Sequence, residues 1–391
     1  MRGWKRKRYV ERHRYFLRQK KLKRHLCRER HKCLVRFLRM VRRRTHVFKL
    51  TAAERKWAAI VGVDEIKQPI DGVRLKPDSL VIWLPEVFDF EKNYEDSATV
   101  ISIFRKALIC GKWISYIDFT GMKEISPACI MVFTCYADLW KRKCKLVRTR
   151  TETWQPGISA AFHQIGFFDI LHLTDRNPWN PSDCAAFYMG LESHFVEPTM
   201  DNVGGVLDEI SGRIEKFINK PLNRMSMYRS FTEAVTNVYH HAYTYKPCFD
   251  NLSRKWWLSV SYSEEKNELH IMIFDHGEGI PNTIVRTVDF TRVHRLYYKF
   301  AAEWGQKDKL LIAFEHHRTS SGKFRPIRWG RGHGCSDILR YLSEGSGEGC
   351  LSVLSDKARY VYSTEKRMNR GAAENLPIPL SGTLIEWRIT P

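Results

Sequence analysis

Apolar and polar positions fall into a readable order from about residue 78. "SLVIWLPEVF" is β-rich, and "DSATVISIFRKALI" has helical spacing with Asp96 or Ser97 as its cap. "WISYIDFT" predicts a second strand. "SPACIMVFTCYADLWKRK" opens on Ser126 and Pro127, a cap and first-turn pair, and closes on Lys and Arg. "CKLVRTR" predicts a short strand and "ISAAFHQIGF" a short helix stopped at Gly166. This β-α-β-α-β-α order over 78–174 predicts a small α/β layer domain. "TDRNPWNPSDC", with two Asn-Pro steps, reads as a linker, and the segment 175–200 is assigned to it.

The second half predicts two helices at about 203–219 and 226–243, then a hairpin. "WWLSVSYS" pairs with the alternating "ELHIMIFD" across "EEKN". A long irregular region, another helix and closing strands follow. In "SFTEAVTNVYHHAY", Phe231, Val235, Val238 and Ala242 form one apolar stripe at the 3.6-residue period, which predicts packing on a sheet. Glu233, Asn237 and His241 succeed each other at i, i+4 and i+8 on another side. Alone, such a row is usually solvated surface. An aligned carboxylate and amide would also serve a metal-bound ligand, with the carboxylate polarising a water.

Three further motifs bear on this choice. Asp275-x-Gly277-x-Gly279 ends a strand, which places an acceptor carboxylate beside backbone that can approach a ligand closely. Such an acceptor suits an exocyclic amine like that of adenine, although the bare motif is also a Gly-rich turn. "WGRGHGCSDILRYL" sets Gly330, Gly332 and Gly334 before a helix expected from about Cys335 to Ser343, a nest of N–H groups suited to phosphate. Its spacing is not that of a P-loop or a dinucleotide fingerprint. "SGTLIEWRI", opening on Ser381-Gly382-Thr383, predicts the final strand.

In this order the four motifs resemble the ATP-binding domain of the GHKL family (gyrase B, Hsp90, MutL, histidine and anti-sigma kinases). The Glu-Ala-Val-Thr-Asn form of the first is closest to the serine-kinase anti-sigma factors. The resemblance implies that Asn237 binds Mg²⁺ bridging the phosphates of ATP and that Glu233 is the general base. It also implies that Asp275 holds the adenine amine, that Gly277 and Gly279 shape the pocket, and that Gly330, Gly332 and Gly334 close on the phosphates. Thr383 would support the adenine end. The family's lid would fall at about 282–329, where Lys323, Arg325, Arg328 and Arg331 are candidate phosphate partners or solvated loop residues. His240 and His241 lie inside the nucleotide helix with no separate His-box helix pair, which argues against a sensor histidine kinase. "YIDFTGMKEISPACIMVF" resembles a STAS domain, but Ile125-Ser126-Pro127-Ala128 replaces that family's Asp-Ser-Ser-Gly. Ser126 therefore reads as a helix cap more than a phosphoacceptor.

Charge adds one region. The chain of 391 residues carries +22, and residues 1–50 hold 21 Lys and Arg against Glu11 and Glu29, a net +19 that leaves +3 for residues 51–391. That segment reads as a basic arm, helical or disordered, which would bind nucleic acid or an acidic surface through counterion release, or act as a solubilising tail. Ten cysteines show no zinc spacing and read as thiols of a cytoplasmic protein. "ACIMVFTCYADLW" is too short to span a bilayer, and the basic N-terminus lacks an apolar signal core, so no membrane insertion is expected.

The expected architecture is α/β, an α+β sandwich, in five parts: arm 1–50, connector 51–77, STAS-like domain 78–174, linker 175–200 and GHKL-type domain 201–391. In the last, helices would cover one face of a mixed sheet. Two functions follow from the resemblance. One is Mg-dependent ATP hydrolysis or phosphoryl transfer to Ser or Thr of a protein partner. The other is a non-catalytic ATP-dependent switch or scaffold recruiting protein or nucleic acid. GHKL domains often pair, so a homodimer is compatible with either.

Overall fold

A computed structural model describes residues 48–62, 75–143, 150–171, 179–184, 186–195, 203–243, 254–287, 304–315, 334–343, 348–364 and 371–391. The expectations for the arm up to residue 47, for "CKLVRTR" before Arg150, and for most of the lid lie outside the described residues.

The first layer is built on β1 (Ala58–Ile60), β2 (Leu80–Trp83) and β4 (Ile114–Asp118). β1 runs antiparallel to β2, and β2 parallel to β4, giving a small mixed sheet. Pro85 interrupts the expected "SLVIWLPEVF" strand, and its remainder, β3 (Val87–Phe88), pairs in parallel with β5 (Glu124–Ile125). Helices α1 (Tyr94–Cys110), α2 (Pro127–Lys143), α3 (Pro156–Gln164) and α4 (Phe167–Leu171) complete the layer. The expected cap of α1 is displaced, for the helix starts at Tyr94. Ser97 Oγ instead accepts from the Asp89 N–H at 2.9 Å, and Asp96 accepts from Lys56 Nζ and the Trp57 indole. Ser126 does cap α2, accepting the Cys129 N–H at 3.3 Å. An aromatic core holds the layer together, with Phe119 stacked on Trp154 at 4.0 Å and Phe133 edge-on to Phe104, Phe119 and Phe162.

The second layer is a five-stranded sheet in the order β6-β7-β8-β10-β9. These strands are β6 (Phe187–Phe195), β7 (Lys255–Ser263), β8 (Glu268–Asp275), β9 (Gly349–Ser363) and β10 (Ala372–Ile389). Every described pairing in it is antiparallel, so the mixed sheet expected here is found only in the first layer. β6 lies inside the expected linker, where Phe187–Phe195 supply an edge strand paired with Lys255–Tyr262. The hairpin forms as its alternation predicts, with Ser263 opposite Glu268. β10 starts well before Ser381, and its pairing with β9 slips twice, between Asn375 and Leu380 and again before Thr383.

Alternation along the strands decides what each face meets. Leu258, Val260, Ile271, Ile273, Ile385, Trp387, Leu351 and Val353 point to one face, the front. There they pack with α5 (Val203–Ile218), α6 (Arg224–Asn237) and α8 (Gln306–Glu315). The apolar stripe of the opening stretch is buried as expected, with Phe231, Val235 and Val238 at most 3% exposed. Trp257, Met272, Phe274, Leu354 and Leu384 point to the back and join the first layer's core. The two layers are therefore stacked through one continuous apolar seam. Each such fully buried side chain contributes roughly 1.5–3 kcal/mol. Glu91 of the first layer adds an ionic clasp, accepting from Arg388 at 2.5 and 2.7 Å and from Arg359 at 3.0 Å. Tyr94 adds a neutral one, its hydroxyl donating to the Ile378 carbonyl at 2.7 Å.

Candidate functional site

At one end of the front face the apolar rows give way to a polar row. Thr383 of β10 is paired in register with Asp275 of β8 on one side and Ser355 of β9 on the other. The next row inward is Ile273, Ile385 and Val353, all buried. Ser355 and Thr383 hydroxyls are 2.9 Å apart, and the Ile280 N–H donates to Ser355 Oγ at 2.9 Å. Asp275 Oδ1 accepts the Gly277 N–H at 2.6 Å. Burial, opposed only by that hydrogen bond, pushes the Asp275 carboxyl up to about 7. A buried carboxyl supported by a single backbone donor suits a ligand that brings a donor of its own.

The turn after Asp275 is shaped by close approach. A Cβ on Gly277 would stand 2.5 Å from both Cβ and the carbonyl oxygen of Ala242. Gly279 has φ +84°, a left-handed conformation that side chains resist, and sits over Ser355. The turn leads into α7 (Ile280–Thr287), which overlaps the start of the expected lid.

Glu233 and Asn237 lie on the last turns of α6, both half-buried. After Asn237 the helix widens into a π-helical turn, Val238–Ala242. Such one-turn widenings recur at functional sites. Burial pushes Glu233 up to about 7, and the charge of Asp337 adds to this. The Asn237 side-chain amide donates to Cys335 Sγ at 3.6 Å. Cys335 and Asp337 belong to a six-residue 3₁₀ helix, Gly334–Leu339, followed by the short α9 (Arg340–Ser343). The regular helix expected over Cys335–Ser343 is thus only partly α-helical, and the cause is visible. Ser230 Oγ donates to the Asp337 carbonyl at 3.0 Å and accepts the Tyr341 N–H at 3.0 Å, interposing itself in the helix ladder.

Of the expected site residues, Asp275, Gly277, Gly279 and Thr383 converge at one strand end. Glu233 and Asn237 converge with the start of the 3₁₀ helix at Gly334. Gly330, Gly332, Lys323, Arg325, Arg328 and Arg331 lie outside the described residues. Sequence reasoning missed Ser355, Cys335, Asp337 and Tyr243. Ser355 shows in the chain only as one more polar position of an alternating strand, and its place beside Thr383 depends on the register slips in β10.

A nucleotide with Mg²⁺ would need a buried acceptor at the base and an oxygen ligand near the phosphates, and Asp275 and Asn237 are groups of those types. Among the described residues no group of three His, Cys, Asp or Glu could hold a metal ion. Mg²⁺ takes few protein oxygens and completes its octahedron with phosphate and water, so the Asn237 amide oxygen alone would be its protein ligand.

A second polar cluster lies elsewhere. A cavity of about 400 Å³ opens at the layer seam on the back of the sheet, lined by His270, Glu386, Arg388, Glu91 and Ser126 among others. His270 is held between Glu386 at 2.8 Å and Glu268 at 3.2 Å. Burial opposes its charge, but these carboxylates outweigh it and raise it to about 9. The His270 pairs lie within the sheet, and Glu91 reaches across the seam to Arg388 and Arg359, so the cluster reads as part of the docking between layers. Ser126 is on this back side, across the sheet from Glu233.

Comparison of the chain with protein-family models gives no match, and comparison with curated proteins gives none either. Among the described residues no helix is long and apolar enough to cross a membrane.

Proposed function

We propose that the chain is an ATP-binding regulatory protein of the GHKL class, with the STAS-like layer packed behind its sheet. The observation that carries this reading is the polar row Asp275–Thr383–Ser355 ending an otherwise apolar face beside the helix of Glu233 and Asn237. Asp275 would accept the adenine amine, and Thr383, tied to Ser355, would support that end. Asn237 would hold Mg²⁺ together with phosphate oxygens. Held there, Mg²⁺ would supply neutralisation of phosphate charge.

Glu233, raised to about 7, is suited to take a proton from an attacking water or a Ser or Thr hydroxyl near neutral pH. Ser126 caps α2 on the far side of the sheet, which favours an acceptor on a separate protein, or water. Calorimetry with Mg·ATP, followed by incubation with γ-labelled ATP, tests the proposal. Label on a partner protein indicates a kinase and free phosphate alone an ATPase. Absence of binding sinks the whole reading.

A second reading, an ATP-driven switch, draws on the contact between Asn237 and Cys335. The segment after the glycines already rests on the metal-site amide, so a nucleotide entering there would have to move it. Binding without label transfer or phosphate release would select this reading.

A further inference from the structure

The two halves of the candidate site come from segments some 40 residues apart, and one structure joins them. It is the π-helical turn Val238–Ala242 with the following Tyr243. The Ala242 carbonyl accepts the Glu278 N–H at 2.9 Å, and the Tyr243 hydroxyl accepts the His276 N–H at 3.0 Å. That hydroxyl also donates to the Lys255 carbonyl at 2.6 Å, and Tyr243 is 5% exposed. One phenol thus ties the end of the Glu233–Asn237 helix to β7 and to the turn after Asp275. The Gly277–Ala242 approach leaves no slack in that join.

We propose that Tyr243 is a positioning residue, setting where the Asp275 turn stands relative to Asn237, with the wide turn supplying the required spacing. In a regular helix each residue advances about 1.5 Å and 100°. Removing one residue from the turn would therefore swing the phenol away from His276 while Asn237 stayed in place. The widening is what allows a single helix to carry Glu233 and Asn237 and still meet the strand end with Ala242 and Tyr243. The ligand part of this inference rests on the ATP reading; the positioning part rests on the hydrogen bonds alone.

The test compares full-length Tyr243→Phe with Tyr262→Phe. Tyr262 is also buried, but its hydroxyl donates to Asn267 Oδ1 at 3.0 Å, at the hairpin end of the sheet away from the polar row. The readouts are thermal midpoint, the Kd of Mg·ADP well below that midpoint, and hydrogen exchange at the His276 and Glu278 amides. Both variants are expected to lose some thermal stability. Only Tyr243→Phe is expected to weaken Mg·ADP about tenfold and to speed exchange at His276. A Kd equal to wild type in Tyr243→Phe overturns the proposal, as does unchanged exchange at both amides. If the wild-type chain binds no nucleotide, the ATP reading fails and the ligand role of Tyr243 with it, while exchange still decides the positioning claim. If Tyr243→Phe does not fold, hydrogen exchange of the wild-type chain with and without Mg·ADP serves instead: the His276 and Glu278 amides are expected to slow on binding, and unchanged exchange at both overturns the proposal.

Discussion

Replacing Asp275 with Asn separates stability from ligand binding in a way that few substitutions would. Burial raises this carboxyl from 3.8 to about 7, so the fold favours the protonated form. The stability linked to that proton is fully present below about pH 4, is lost as pH rises towards 7, and then levels off. Roughly three pH units at about 1.4 kcal/mol each give a loss of about 4 kcal/mol as an upper bound. Asparagine stays neutral at every pH and still accepts the Gly277 N–H. The ligand-free variant should therefore lose less stability than wild type between pH 5 and pH 8, measured by urea unfolding of the full chain. Glu233 titrates in both proteins and cancels in the comparison. For nucleotide the effect reverses. With its oxygen committed to Gly277, the amide turns an NH₂ donor towards the adenine amine, and calorimetric affinity for Mg·ATP should fall by about 10–100-fold. Equal pH slopes in the two proteins would refute the burial argument. Unchanged affinity would refute the assignment of the adenine end.

Other outcomes follow from the same geometry. Glu233→Gln should keep Mg·ATP binding and reduce turnover by about 10²–10⁴-fold. Wild-type turnover should rise with pH through about 7 as Glu233 loses its proton; a flat pH profile would exclude it as the base. Ser355→Ala takes the acceptor from the part-buried Ile280 N–H and should cost about 1 kcal/mol in urea unfolding while weakening nucleotide binding; loss of neither would remove Ser355 from the site. Glu91→Ala should cost roughly 1–2 kcal/mol, modest because Glu91 is partly exposed, and a double-mutant cycle with Arg388→Met should show coupling. Additive effects would mean that the clasp is incidental. Deleting residues 1–50 should abolish any salt-sensitive RNA or DNA binding by the chain, and binding that survives would place it elsewhere.

Much of the local order was legible from periodicity. The β7–β8 hairpin, the buried stripe from Phe231 to Ala242 and the Ser126 cap each depend on contacts close in sequence, where spacing and turn chemistry decide the outcome. The cap of α1 lies elsewhere because Asp96 serves Lys56 and Trp57, far back in the chain, and Ser97 serves the preceding turn at Asp89. The stretch from Phe187 to Phe195 looked like linker because the prolines and asparagines before it dominate the local signal. An edge strand needs only one partner to become ordered.

The chain's own spacing therefore determined which residues were candidates. It put Glu233 one turn before Asn237 on a helix, Asp275 and its glycines at a strand end, and Thr383 at the start of a closing apolar run. Tertiary structure alone decided that Thr383 stands between Asp275 and Ser355, that a π-helical turn and Tyr243 join the two halves, and that the first layer covers the back of the sheet. Those facts depend on strand register, on a helix widening by one residue and on which face of an alternating sheet meets which layer. Each is settled by contacts between segments far apart in the chain, where local propensity carries no information.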